Sequence, residues 1–125
     1  GDRIDFFYYQ DERDMAEAEN PPPLAVRRKN EKPRSVYVIT ANDETAKIGI
    51  AYDPKKRLAN LQIGSPVQRL TLAYVKVVPG SLAWRIEGRA HRTLAAHAIG
   101  QEWFRVSVQT AIDAVNEAAA RELVD

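Results

Sequence analysis

The alternation of apolar and polar positions outlines the elements of this chain before any chemistry is considered. Ser35-Val36-Tyr37-Val38 and Ala46-Lys47-Ile48-Gly49-Ile50 are short β-type runs on either side of the polar connector Ala41-Asn42-Asp43-Glu44-Thr45. This pattern predicts a β-hairpin. A hairpin symmetric about Asp43 sets Tyr37 opposite Gly49 and diagonal to Lys47, with all three side-chain directions on one face. Asp53-Pro54 then opens a helix, with Asp53 as cap and Pro54 in the first helical position. The helix runs to about Gln62 with Leu58 and Leu61 inward, and Gly64 and Pro66 end it. Gln68 to Val78 alternates as a third strand, with Leu70, Leu72, Tyr74 and Lys76 on one side. After the turn Pro79-Gly80, Ser81 is expected to cap a second helix reaching about His97, with the stripe Ala83, Ile86, Ala90 and Leu94. Trp103, Phe104 and Val106 read as buried. Ser107 is expected to cap a third helix with Val108, Ile112, Val115 and Leu123 on its inner face. The order β-β-α-β-α-α belongs to the α+β class, a small antiparallel sheet of about three strands flanked by helices.

Upstream of this block the pattern changes. Residues 1–33 carry the aromatic cluster Phe6-Phe7-Tyr8-Tyr9, a helix-compatible stretch from Asp11 to Glu19, the extended linker Pro21-Pro22-Pro23, and a basic connector from Arg27 to Arg34. The compact domain is expected over residues 34–125. The 125 residues suffice for one domain with its own core, and the absence of cysteine excludes disulfides and thiolate metal sites. No apolar run approaches the ~20 residues of a membrane helix. No signal peptide is visible in the acidic, polar start.

Net charge is +1, but the charges are segregated. Residues 1–20 hold seven acids against Arg3 and Arg13, whereas residues 53–105 hold nine Lys or Arg against Asp53, Glu87 and Glu102. A basic body suits phosphate contacts, although a solvated surface would carry the same charges. The acidic start could lie over the basic site as an internal competitor. Alternatively, it could dock on a partner or a second copy through Phe6 to Tyr9.

Several residues carry candidate chemistry. Glu87 is the sole acid between Asp53 and Glu102, and it sits at the edge of the second helix's apolar stripe with His91 one turn on. A lone, partly buried carboxylate needs a partner, either a divalent ion or an arginine. Arg57 shares its helix with Lys55 and Lys56 and could grip a phosphate or be one more surface cation. Tyr37 beside Lys47 is a plausible proton-transfer pair, since an ammonium favours the phenolate of a group that ordinarily titrates near about 10. It is equally a strand aromatic in a core. Arg85, Arg89 and Arg92 form one row on the second helix, suited to a nucleic-acid backbone or to solvent.

The order and spacing of these groups resembles the GIY-YIG nuclease family. Val36-Tyr37 stands at that family's first motif, Lys47-Ile48-Gly49 at its second, and Arg57 follows at the family spacing. Glu87, within Trp84-Arg85-Ile86-Glu87-Gly88-Arg89-Ala90-His91, looks like the metal-binding glutamate. Gln101-Glu102-Trp103-Phe104 resembles the phage-type branch, where a Glu-x-x-x-His helix precedes a Glu-Trp-Phe segment. The resemblance covers about Arg34 to Val115. It implies an endonuclease that hydrolyses DNA with one metal, Mg²⁺ or Mn²⁺, on Glu87. Tyr37 would act as base or water-positioning group with Lys47, and Arg57 would hold the phosphate. His91 would act near Glu87, and Lys55, Lys56, Arg85 and Arg89 would contact nucleic acid. DNA is the implied partner with RNA left open, and the implied setting is cytoplasmic, bacterial or phage-encoded. Lys47 stands where the commonest family pattern has a second tyrosine, and Leu61 where some branches have histidine. The alternative is a non-cleaving nucleic-acid-binding or interaction module on the same fold.

Overall fold

A computed structural model describes residues 32–123. The aromatic cluster, the Asp11–Glu19 stretch and the proline linker lie outside the described residues. Strands β1 (Arg34–Ala41) and β2 (Thr45–Ala51) are followed by helix α1 (Pro54–Ile63), strand β3 (Leu70–Val78) and helix α2 (Gly80–Thr93). A short strand β4 (Trp103–Phe104) and helix α3 (Val108–Glu122) complete the chain. Among the described residues the sheet has four antiparallel strands in the order β3-β1-β2-β4. The α+β class is as expected; the extra strand is the two-residue Trp103–Phe104 segment, too short to show an alternation in sequence.

The hairpin register is symmetric about Asp43, with Tyr37 opposite Gly49 and Ile39 opposite Lys47. The turn places Asn42 and Asp43 at φ 60° and 55°, a conformation that Asn and Asp tolerate better than most residues. Asp43 also reaches across the fold: its Oδ1 accepts from the Val108 N–H at 2.6 Å and so ties the hairpin tip to the start of α3.

Period-two alternation divides the sheet between two apolar layers. Val36, Val38, Ala46, Ile48 and Ile50 pack against α2 and α3. Tyr37, Ile39, Ala41 and Ala51 form the opposite layer with Leu61, Leu70, Leu58, Leu72 and Trp103. Strand β3 does not keep one face throughout. Its pairing with β1 steps from Val38↔Tyr74 to Ile39↔Leu72, so Ala73 is bulged out. One extra residue inverts the alternation. Leu70 and Leu72 therefore join the α1 layer while Tyr74 packs on the other side, where its hydroxyl donates to Asn116 Oδ1 at 2.6 Å.

The helix starts partly depart from the residue pattern. Asp53 caps α1 by accepting from Lys56 N, and Ser107 caps α3 by accepting from Thr110 N. Helix α2 instead starts at Gly80, with Pro79 in the cap position and no side-chain capping bond. Its first residue has no room for a Cβ: one built at Gly80 would collide with the Lys32 carbonyl and lie 3.4 Å from Arg34 Cδ. The helix ends at Thr93, and a 3₁₀ turn covers Ala95–His97. The inner face of α3 is an alanine stripe, Ala111, Ala114, Ala118 and Ala119, around Val115. Leu123 is exposed. Small side chains let α3 approach its neighbours closely, so alanines do the packing that bulkier aliphatics were expected to do.

Candidate active site

Tyr37 is fully buried on β1, and its ring leans across to β2 over Gly49. A Cβ at position 49 would fall 2.6 Å from Tyr37 Cζ and 3.1 Å from Cε2. The glycine is thus the condition for the ring's placement, as expected for a strand glycine that marks close approach. The phenol is thereby carried across from β1 to β2. Lys47, on the same face of β2 two residues away, is also buried, and its Nζ lies 3.0 Å from Glu102 Oε1. The side chains of this pair are 4% and 21% exposed. Sequence reasoning gave Glu102 no role, because nothing local signals a pairing across 55 residues. It arises because β4 sits beside β2, with Lys47 opposite Trp103 and the Ile48 N–H donating to the Glu102 carbonyl.

Arg57 enters the same layer from α1. It is 4% exposed, one turn from Leu61, which packs in the cluster containing Tyr37. Lys55 and Lys56, its neighbours in the first turn, are exposed. Helical periodicity separates the three adjacent cations: one points into the layer and two point to solvent.

Glu87 and His91 lie on α2, across the sheet. Both are half-buried. His91 Nε2 is 2.8 Å from the Ile48 carbonyl, and the imidazole tilts against Phe104 with centroids 5.2 Å apart. A carbonyl only accepts, so Nε2 carries the proton in this contact. The bond has a topological cause. Strand β4 spans only two residues, so beyond it the edge of β2 needs other partners, and His91 supplies one. The head of α2 rests on Arg34 at the start of β1, so the helix runs from that end toward the middle of β2. Glu87, four residues before His91, is set back by about 6 Å along the axis. Glu87 is thus carried by the α2 layer, on the opposite side of the sheet from the layer that holds Tyr37.

The other flank of α2 faces α3. Arg89 Nε donates to Glu122 Oε2 at 2.9 Å with Nη2 on the same oxygen, and Arg85 Nη1 lies 3.8 Å from Oε1. Two arginines of the expected backbone-tracking row therefore converge on one carboxylate between the helices. Arg92 is exposed.

Chemically, the arrangement offers a buried phenol, a buried ammonium paired with a half-buried carboxylate, a buried guanidinium and, on α2 across the sheet, a second half-buried carboxylate. Among the described residues no three His, Cys, Asp or Glu side chains group as ligands. No helix of the described residues is long and apolar enough to cross a membrane.

Nothing among curated proteins or solved structures matches the chain. The resemblance to the GIY-YIG nucleases requires correction, because the family model that matches is a different one. The physical reason is that three-residue motifs such as Lys47-Ile48-Gly49 encode an aromatic laid over a glycine across a hairpin. Any antiparallel pair can use that local device, so it does not mark a family by itself. The match spans residues 34–119, and the chain belongs to the T5orf172 domain family, a nuclease-associated domain.

Proposed function

We propose that this T5orf172 domain is a metal-dependent endonuclease that hydrolyses DNA phosphodiester bonds at the β2 edge. The observation that carries the reading is the placement of Tyr37 over Gly49, which brings a fully buried phenol from β1 across to β2. Buried Arg57 in the same layer supports it, because a guanidinium in place inside the fold is preorganised for phosphate.

In this reading Arg57 holds the scissile phosphate through its planar fork. Tyr37 Oη orients the attacking water and takes its proton as the new oxygen–phosphorus bond forms and the bond to the departing sugar oxygen breaks. Lys47, diagonal to Tyr37 and fixed by Glu102, places an ammonium on the same face of β2 as the phenol. His91 anchors α2 on Ile48 and so sets the position of Glu87. Glu87 would hold the divalent ion, Mg²⁺ or Mn²⁺, which when bound supplies positive charge to the phosphate and leaving oxygens. Lys55 and Lys56 contact the backbone nearby, and Arg85 and Arg89 contribute after sharing their charge with Glu122.

The test is nicking of supercoiled plasmid with Mg²⁺, with and without EDTA. The wild-type chain should nick only with metal, and Glu87→Ala, Arg57→Ala and Tyr37→Phe should each lose cleavage while retaining the wild-type circular-dichroism spectrum. Full turnover by a folded Glu87→Ala protein removes the metal role. Tight, salt-dependent DNA binding with no cleavage in Mg²⁺ or Mn²⁺ replaces the hydrolase with a non-cleaving binding module.

A further inference from the structure

The loop between α1 and β3 has a feature that neither the core nor the proposed catalytic groups require. Val67 is 95% exposed and Ile63 is 65% exposed, so neither contributes to the packed layers. Single exposed aliphatic residues are ordinary. What sets this loop apart is that it is fixed. The Gln62 side chain spends all its polar atoms on it: Nε2 donates to the carbonyls of Ser65 at 2.9 Å and Gln68 at 2.8 Å, and Oε1 accepts from the Leu70 N–H at 2.8 Å. The Ser65 N–H adds a bond to the Gln62 carbonyl at 3.1 Å. One side chain thus locks a turn whose tip displays a bare isopropyl group beside a concavity of about 420 Å³ lined partly by Arg69.

The charge around the loop selects the class of partner. On the segment that carries the loop, from Pro54 to Leu70, the chain contains no Asp or Glu, while Lys55, Lys56 and Arg69 are exposed to solvent. A protein surface of mixed charge has no reason to prefer such a stretch, whereas a polyanion has. Distance then relates the loop to the proposed site. Arg57 and Ile63 are six residues apart on one helix, about 9 Å along its axis. That is about three base-pair steps at ~3.4 Å each.

We infer that residues 63–69 form a preformed minor-groove wedge, with Val67 pressed between base edges of duplex DNA about three base pairs from the phosphate held at Arg57 and with Arg69 on the adjoining backbone. The inference rests on the DNA-acting reading above and extends it to how the duplex is engaged. A rigid wedge gains from being ordered before binding, since ordering a loop on the DNA would subtract from affinity. Gln62 is the positioning residue for this wedge.

The experiment is fluorescence anisotropy of the full chain with a 30-base-pair duplex in EDTA, which reads binding without cleavage. A parallel series uses duplexes carrying 2-aminopurine at successive positions, whose emission rises when the base unstacks. Val67→Ser should weaken binding about tenfold, leave the slope of affinity against salt unchanged, and abolish the 2-aminopurine signal. Arg69→Ala should lower that slope by about one. Gln62→Ala should weaken binding in the same direction as Val67→Ser, because the wedge loses its order. Urea denaturation of Val67→Ser should match wild type, since the residue packs on nothing. Binding by Val67→Ser within twofold of wild type, or tighter binding of the wild-type chain to a single strand than to duplex, overturns the wedge. A chain that binds through Val67 yet never nicks plasmid keeps the wedge and rejects the hydrolase. Normal nicking by Val67→Ser does the reverse, and failure of the wild type to bind any DNA rejects both.

Discussion

Removal of Glu102 tests whether the β2–β4 pairing sets the electrostatics of the candidate site. Lys47 Nζ and Glu102 Oε1 are 3.0 Å apart, and the lysine side chain is 4% exposed. Their gross attraction at an effective dielectric of 20 is about 5 kcal/mol, much of it offset by the cost of taking both charges from water. Glu102→Ala would leave a buried ammonium uncompensated, a change that costs about 3–5 kcal/mol when the pair is fully enclosed. Glu102 is 21% exposed, so water can partly replace it, and about 2–3 kcal/mol is the expected loss. For a domain of this size that corresponds to a fall in Tm of about 10–20 °C. Lys47→Met alone removes the buried charge while keeping most of its volume, so the double variant Lys47→Met/Glu102→Ala should recover much of the loss. Urea denaturation of the four proteins in a double-mutant cycle measures the coupling. A coupling below about 0.5 kcal/mol, with Glu102→Ala as stable as wild type, would refute the reasoning and show that Lys47 is satisfied without its carboxylate.

Other consequences can be checked with single substitutions. Gly49→Ala drives a Cβ into the fully buried Tyr37 ring and should cost about 1–3 kcal/mol, a penalty that disappears in a Tyr37→Ala background when both are measured by chemical denaturation. Asp43→Ala leaves the Val108 N–H at the start of α3 without its acceptor and should lower stability by about 1 kcal/mol, whereas Asp43→Asn should retain most of it. Arg89 is more than a third exposed, so Arg89→Ala should cost no more than about 0.5–1 kcal/mol despite its two bonds to Glu122. In DNA-binding titrations Arg89→Ala should reduce affinity less than Lys55→Ala/Lys56→Ala, because its charge is already shared. His91→Ala should loosen α2 from the β2 edge and raise the hydrogen-exchange rate of the Ile50 and Glu87 amides before it affects global stability.

Much of the architecture was legible because it follows from local rules. The polar five-residue connector and the alternating runs around it define the hairpin, and symmetry about Asp43 defines its register, so Tyr37 opposite Gly49 followed from counting. Asp53-Pro54 and Ser107 announced two helix starts through cap chemistry that depends on three or four consecutive residues. Helical periodicity placed Glu87 and His91 on one flank of their helix. The family was not legible in the same way: the motifs that resembled the GIY-YIG nucleases describe a hairpin device, and the T5orf172 model that matches residues 34–119 corrects them.

Other features depended on contacts between distant segments, and no local pattern encodes those. The bulge at Ala73 inverted the faces of β3, because one extra residue opposite β1 changes the phase without changing composition. Glu102 became the partner of Lys47 only when a two-residue strand settled beside β2, and that strand's shortness left the edge that His91 completes. Burial of Arg57 beside exposed Lys55 and Lys56, and convergence of Arg85 and Arg89 on Glu122, likewise required α1 and α3 to be in place. The residues alone determine periodicity, capping and turn geometry, which act over a few positions. Charge pairing and desolvation act through space, so only the folded chain decides which groups face one another.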